Sequence, residues 1–104
     1  MPNYHQKKRL DIIVEAPLMR TIIGKLDRAR VPGYSVLPII EGRGLDNSWS
    51  SDGQIADTTN MVAILCFLDA SQADGVMDAV FSVIKDRIGF VTISDVYMVR
   101  SNRF

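Results

Sequence analysis

From Met61 to Leu68 the chain reads Met-Val-Ala-Ile-Leu-Cys-Phe-Leu, without one charged residue. A strand of that composition carries apolar side chains on both faces, so it belongs inside a sheet covered on both sides. The other elements have to be arranged around it. Arg9 to Ala16, through Leu10-Asp11-Ile12-Ile13-Val14-Glu15, reads as a second strand by its length and β-branched content. Tyr34 to Ile40 is a third, and Pro38 within it removes a ladder donor, which fits an edge or a distortion. Phe90 to Val99 is the last strand.

Two helices complete the chain. Pro17 suits a first helical position, where its missing N–H is no loss. Leu18, Ile22, Leu26 and Ala29, with Met19 and Ile23, recur at helical spacing, and Arg20, Lys25, Asp27 and Arg28 fall on the other side. Val31-Pro32-Gly33 is expected to end this helix, with Gly33 as a positive-φ cap. Ser71 is read as the cap of the second helix, with Asp74 three residues on. Ala73, Val76, Met77, Val80, Phe81 and Ile84 form its core stripe, and Gly89 is expected to close it. Residues 1–8 are polar and without period, a flexible lead-in.

The order strand, helix, strand, strand, helix, strand is the split βαβ pattern of a ferredoxin-like α+β fold. Its sheet is antiparallel and both helices cover one face. The 104 residues suit a single domain, 1–104, and no linker divides them. The strands are apolar on both sides (Val36 and Ile40 against Leu37 and Ile39; Val62, Ile64 and Phe67; Val91, Ile93 and Val96). In so small a domain this predicts a partner on the free sheet face, most simply further copies of the chain.

With 12 basic and 12 acidic residues the formal net charge is zero, so a general nucleic-acid surface is not expected. The single cysteine allows no internal disulfide and fits a reducing cytoplasm. No apolar run approaches the roughly 20 residues of a membrane helix. The start, with Lys7-Lys8-Arg9, has no apolar stretch of the signal-peptide kind after it. A cytoplasmic protein is expected.

Residues 42–59 make a long Gly-, Ser- and Asp-rich loop, and loops of that length in a small domain are usually functional or disordered. At its start stands Glu41-Gly42-Arg43-Gly44. The glycines let backbone N–H groups approach a ligand, and Arg43 offers a planar fork for phosphate, carboxylate or bicarbonate. A solvated arginine on a flexible loop is the commoner meaning of such a tetrapeptide, and no P-loop lysine follows. Arg100 and Arg103 form a second cationic pair in the tail, solubilising alone or convergent on an anion if the tail folds towards a neighbouring subunit. Trp49 either anchors the loop or serves as a contact for a protein partner.

Residues suited to catalysis are few. His5, the one histidine, lies in the expected lead-in, and Cys66 sits mid-strand with no histidine placed to activate it. No zinc site of ordinary type can be assembled from one His and one Cys. The loop acids Glu41, Asp46, Asp52 and Asp57 are read as solvated, with Mg²⁺ beside a phosphate as the other possibility. Nothing here has the pattern of an enzyme.

Gly33-Tyr34-Ser35-Val36 followed by Glu41-Gly42-Arg43-Gly44 resembles the PII signalling family. The resemblance extends to the element order, the long loop after the second strand (the T-loop) and Ile93-Ser94-Asp95-Val96. More closely, the chain looks like the PII-like branch associated with carboxysomes and bicarbonate transporters, which shares the Gly-Tyr-Ser/Thr-Val and Gly-basic-Gly segments. The resemblance implies a homotrimer that binds adenine nucleotide in clefts between subunits and reports it through the T-loop. Ser35 would contact adenine, Gly42, Arg43 and Gly44 would meet ribose and phosphates, and the backbone around Phe67 would lie along the base. Ile88-Gly89-Phe90 would close the cleft. Arg100 and Arg103 would bind phosphate, with Arg100 displaced by one position.

The chain departs from the family where Asp86-Arg87-Ile88-Gly89-Phe90 replaces a longer Gly-Asp-Gly-Lys segment. It also lacks the T-loop tyrosine that is uridylylated and the glutamine that helps hold Mg-ATP and 2-oxoglutarate. These departures favour AMP or ADP over ATP. The branch implies bicarbonate as a second regulatory ligand at Gly42, Arg43 and Gly44, with no metal or other cofactor. The implied partner is a membrane bicarbonate transporter or another carbon-uptake protein. Binding of both ligands would order the loop.

Alternative readings are a nucleotide-sensing regulator without a bicarbonate response, a metal-tolerance protein of the CutA type, an RNA-recognition module and an acylphosphatase-like hydrolase. The CutA type lacks its His and Cys ligands here, and the RNA module lacks exposed aromatics in the strand from Met61. The hydrolase would need an arginine-bearing cradle after the first strand, where Glu15-Ala16-Pro17-Leu18-Met19-Arg20 does not convincingly supply one.

Overall fold

A computed structural model describes residues 3–43, 48–50 and 60–99. In chain order these form β1 (His5–Glu15), a 3-10 turn (Ala16–Leu18), α1 (Met19–Arg28), β2 (Gly33–Pro38), β3 (Glu41–Arg43), β4 (Ser48–Ser50), β5 (Met61–Leu68), α2 (Ala70–Ile84) and β6 (Gly89–Met98). The main sheet has the order β2-β5-β1-β6 with every neighbouring pair antiparallel, and β3 pairs with β4 as a separate ribbon. This is the ferredoxin-like α+β arrangement expected from the element order, with β2 at an edge as Pro38 requires.

Side chains alternate along β1 and β5, and register decides what each face carries. Leu10, Ile12 and Val14 of β1 and Ile64, Cys66 and Leu68 of β5 are fully buried in one cluster with Leu18, Ile22 and Leu26, and with Ala73, Val76, Val80 and Ile84 of α2. Both helices therefore cover this face. Among the described residues nothing covers the other, open face. One row across it runs Leu37, Ala63, Ile13, Phe90; the next runs Ser35, Leu65, Asp11, Thr92; a third runs Gly33, Phe67, Arg9, Ser94. Among the described residues β5 is thus covered on one side only, and Ala63, Leu65 and Phe67 stay half-exposed.

Several expectations are corrected. Residues 5–8 of the expected lead-in belong to β1, where His5 to Lys8 face Met98 to Asp95. Lys7 Nζ lies 2.5 Å from Asp69 Oδ1 and Lys8 Nζ 2.6 Å from Asp95 Oδ1, so the polar side chains that disguised this strand are tied to neighbouring elements. Helix α1 ends on a Schellman motif, with Val31 N–H donating to Leu26 O at 3.3 Å and Arg30 N–H to Asp27 O at 3.1 Å. Arg30 takes the left-handed position at φ 56°, and Gly33 instead opens β2.

The N-cap of α2 is Asp69, not Ser71. Gln72 Oε1 accepts the Asp69 N–H at 3.2 Å, and Gln72 Nε2 donates to Ala29 O at 3.1 Å, which joins the two helices. Phe81 is 57% exposed, outside the core stripe. Gly89 is the first residue of β6 and does not close α2, whose C-cap is Lys85. In the expected loop 42–59, Gly42 and Arg43 face Trp49 and Ser48 in the β3–β4 ribbon. Residues 44–47 and 51–59 lie outside the described residues.

Candidate functional site

Ser35 is exposed on the open face of edge strand β2, directly opposite Leu65. Phe67 lies half-buried on the same face between Gly33 and Arg9. Beyond the end of β2, the Ile39 N–H donates to Met61 O at 3.2 Å, so the chain is still tied to β5 just before the long loop begins. Gly42 then enters the β3–β4 ribbon opposite Trp49. The base of the loop therefore has ladder geometry, with Gly42 in its ladder.

Gly89 and Phe90 lie at the same end of the sheet on the opposite edge strand, facing Val14 and Ile13 of β1. Gly89 has φ 151°, and a Cβ there would stand 2.5 Å from Ile13 O, so no other residue fits without a shift. Phe90 is 49% exposed on the open face. Three strand spacings separate β2 from β6, about 14 Å. One chain thus brings Ser35 and Phe67 together and sets Gly89 and Phe90 apart from them across the sheet. The Arg43 side chain, Gly44, Arg100 and Arg103 lie outside the described residues.

Cys66 is fully buried, and burial pushes its thiol up to about 11, which keeps it protonated and a weak nucleophile near neutral pH. His5 stands in β1 with Nε2 buried and without a hydrogen-bond partner. Among the described residues no group of three or more His, Cys, Asp or Glu side chains comes together to hold a metal ion. Among the same residues no helix is long and apolar enough to cross a membrane.

Sequence reasoning missed two features beside these residues. Arg9 and Asp11 pair on the open face, with Arg9 Nη2 3.1 Å from Asp11 Oδ1 and Nε 3.1 Å from Oδ2. Their i, i+2 spacing on a strand was the available signal. Glu15, at the end of β1, receives the Ile88 N–H at 3.2 Å. Nothing in the sequence links residues 73 positions apart.

Residues 7–103 match the family model described as Nitrogen regulatory protein P-II. The chain belongs to this family, whose members are signalling regulators. Among solved structures it is similar to CPII, a PII-like protein from Thiomonas intermedia K12 solved with ADP, AMP and bicarbonate bound. The TM-score is 0.88 at 19% identity, over 100% of this chain and 98% of that one. A PII-like signalling protein from Thermus thermophilus aligns with a TM-score of 0.81 at 14% identity, over 98% of both chains. A DUF3240 family protein from Shewanella baltica aligns with a TM-score of 0.72 at 16% identity, over 91% of this chain and 94% of that one. No curated protein sequence matches at a significant level.

Proposed function

We propose that this protein is a trimeric, cytoplasmic PII-like regulator that binds AMP or ADP in clefts between subunits. Bicarbonate binds at the base of the long loop, and the loop carries the signal to a component of inorganic-carbon uptake. The observation that carries this reading is the Glu41-Gly42-Arg43 ribbon that follows edge strand β2 on a P-II frame. Its sequence sets a glycine beside an arginine, the combination that suits an anion next to a nucleotide phosphate. The similarity to CPII, whose structure holds ADP, AMP and bicarbonate, supports the choice of ligands.

In this reading Ser35 and the backbone at Phe67 receive the adenine. Gly42, Arg43 and Gly44 hold phosphate and bicarbonate, Gly89 and Phe90 close the cleft, and Arg100 and Arg103 reach the phosphates from the tail. The roughly 14 Å between the two sheet edges favours a site completed by a neighbouring copy. The apolar rows on the open face supply the contact that holds the copies together.

Calorimetric titration with AMP, ADP and ATP, each with and without bicarbonate, tests this. Bicarbonate is expected to tighten AMP or ADP binding about tenfold, close to 1.4 kcal/mol of coupling, and the nucleotide to tighten bicarbonate equally. Arg43→Ala is expected to abolish the coupling while leaving the oligomer intact. Nucleotide binding indifferent to bicarbonate would leave an adenine-nucleotide regulator without the carbon link. No binding of any nucleotide would end this reading.

A further inference from the structure

Glu15 is the buried charged side chain among the described residues, 9% exposed at the last position of β1. A carboxylate leaves water only where other groups replace its hydration. Here Oε1 accepts the Ile88 N–H at 3.2 Å and lies 3.5 Å from Arg87 Nε. The next residue, Ala16, donates its N–H to Asn60 O at 2.9 Å. Glu15 itself faces Met61, whose carbonyl receives the Ile39 N–H at 3.2 Å. Three segments therefore converge on this end of β1: the chain leaving for the long loop, the chain returning from it, and the turn between α2 and β6.

We propose that Glu15 is a positioning residue for the ligand site, holding the turn at Arg87–Gly89 in fixed relation to the base of the long loop. This deepens the nucleotide-binding reading above and rests on it. Gly89 is seated on Ile13 O with no room for a Cβ, so the turn cannot move inwards. The bond from Ile88 to Glu15 keeps it from lifting outwards. Arg87 is half exposed, so its ion pair is screened, and the hydrogen bond to the backbone carries most of the constraint. Phe90, directly after this pinned turn, then meets a ligand in one position.

Three variants and two readouts test the role. Glu15→Ala is expected to accelerate hydrogen exchange at the Ile88 amide at least tenfold and to weaken ADP binding, measured by calorimetry, about tenfold. Glu15→Gln keeps an oxygen for the Ile88 N–H and gives up only the ion pair, so both readouts should stay within threefold of the parent. Glu15→Val, which suits a strand position, replaces the alanine variant if that fails to fold. Unchanged Ile88 exchange in the Ala or Val variant overturns the pin. Faster exchange with ADP affinity unchanged overturns its role in binding and leaves a structural bond only. If the parent chain binds no ADP, the nucleotide reading fails on its own account, while the exchange arm still decides whether Glu15 holds the turn.

Discussion

Gly89 and Arg30 both stand at positive φ, and their surroundings differ in what they tolerate. At Gly89 the missing Cβ is a steric requirement, because Ile13 O and Val14 Cγ1 would lie 2.5 and 2.9 Å from it. Gly89→Ala is therefore expected to destabilise the fold by about 2 kcal/mol or more, read as a lower urea midpoint with an unchanged m-value. Arg30 occupies a left-handed position that costs a side-chain-bearing residue about 1 kcal/mol, offset by the two Schellman hydrogen bonds it completes. Gly33 is the residue a sequence reader would choose for that cap. The helix ends three residues earlier because its last carbonyls are already satisfied at Arg30 and Val31.

At the scale of an element, α2 shows how a cap is chosen by contacts beyond its own segment. Asp69, Ser71 and Asp74 are all plausible N-terminal residues by type. Asp69 becomes the cap where Gln72 can accept its N–H and also reach the Ala29 carbonyl at the end of α1. The body of the helix is less tightly specified. Gly75 is exposed and a Cβ there would meet nothing within 4 Å. Gly75→Ala is expected to stabilise the protein by about 0.5–1 kcal/mol, since alanine loses less backbone entropy in a helix and nothing obstructs it. A higher urea midpoint with unchanged ligand affinity is the expected result. Strand β1 makes the opposite point, since its first, polar residues pair with β6 although no hydrophobic pattern marks them.

At the scale of the whole molecule, the described residues form one covered sheet face and one open face. Leu37, Ala63, Leu65, Phe67, Ile13 and Phe90 lie on the open side, interrupted by the Arg9–Asp11 pair. An apolar face of this kind is the surface on which copies of the chain would assemble. Leu65→Glu would set a second carboxylate directly opposite Asp11 in the β5–β1 register, where like charges repel. The parent is expected to run as an oligomer by light scattering. The variant should shift to monomer with its circular dichroism retained, and an unchanged mass would show that another surface holds the copies.

The number, type and order of the main elements were legible because they depend on local periodicity, composition and turn residues. Pro38 pointed to an edge or a distortion and stands in an edge strand, and the length and β-branched content of Leu10-Asp11-Ile12-Ile13-Val14 announced β1. Glu41-Gly42-Arg43-Gly44 could be singled out as a candidate because its residues are contiguous. Register, caps and long-range partners were not. Which of Asp69 and Ser71 caps α2 depends on Gln72 reaching across to α1. That Glu15 meets Ile88 depends on β1 and β6 lying side by side. A sequence carries the preferences of each segment for its own conformation. Only the folded chain decides which distant groups stand within hydrogen-bond reach, because that distance is set by how all the segments pack at once.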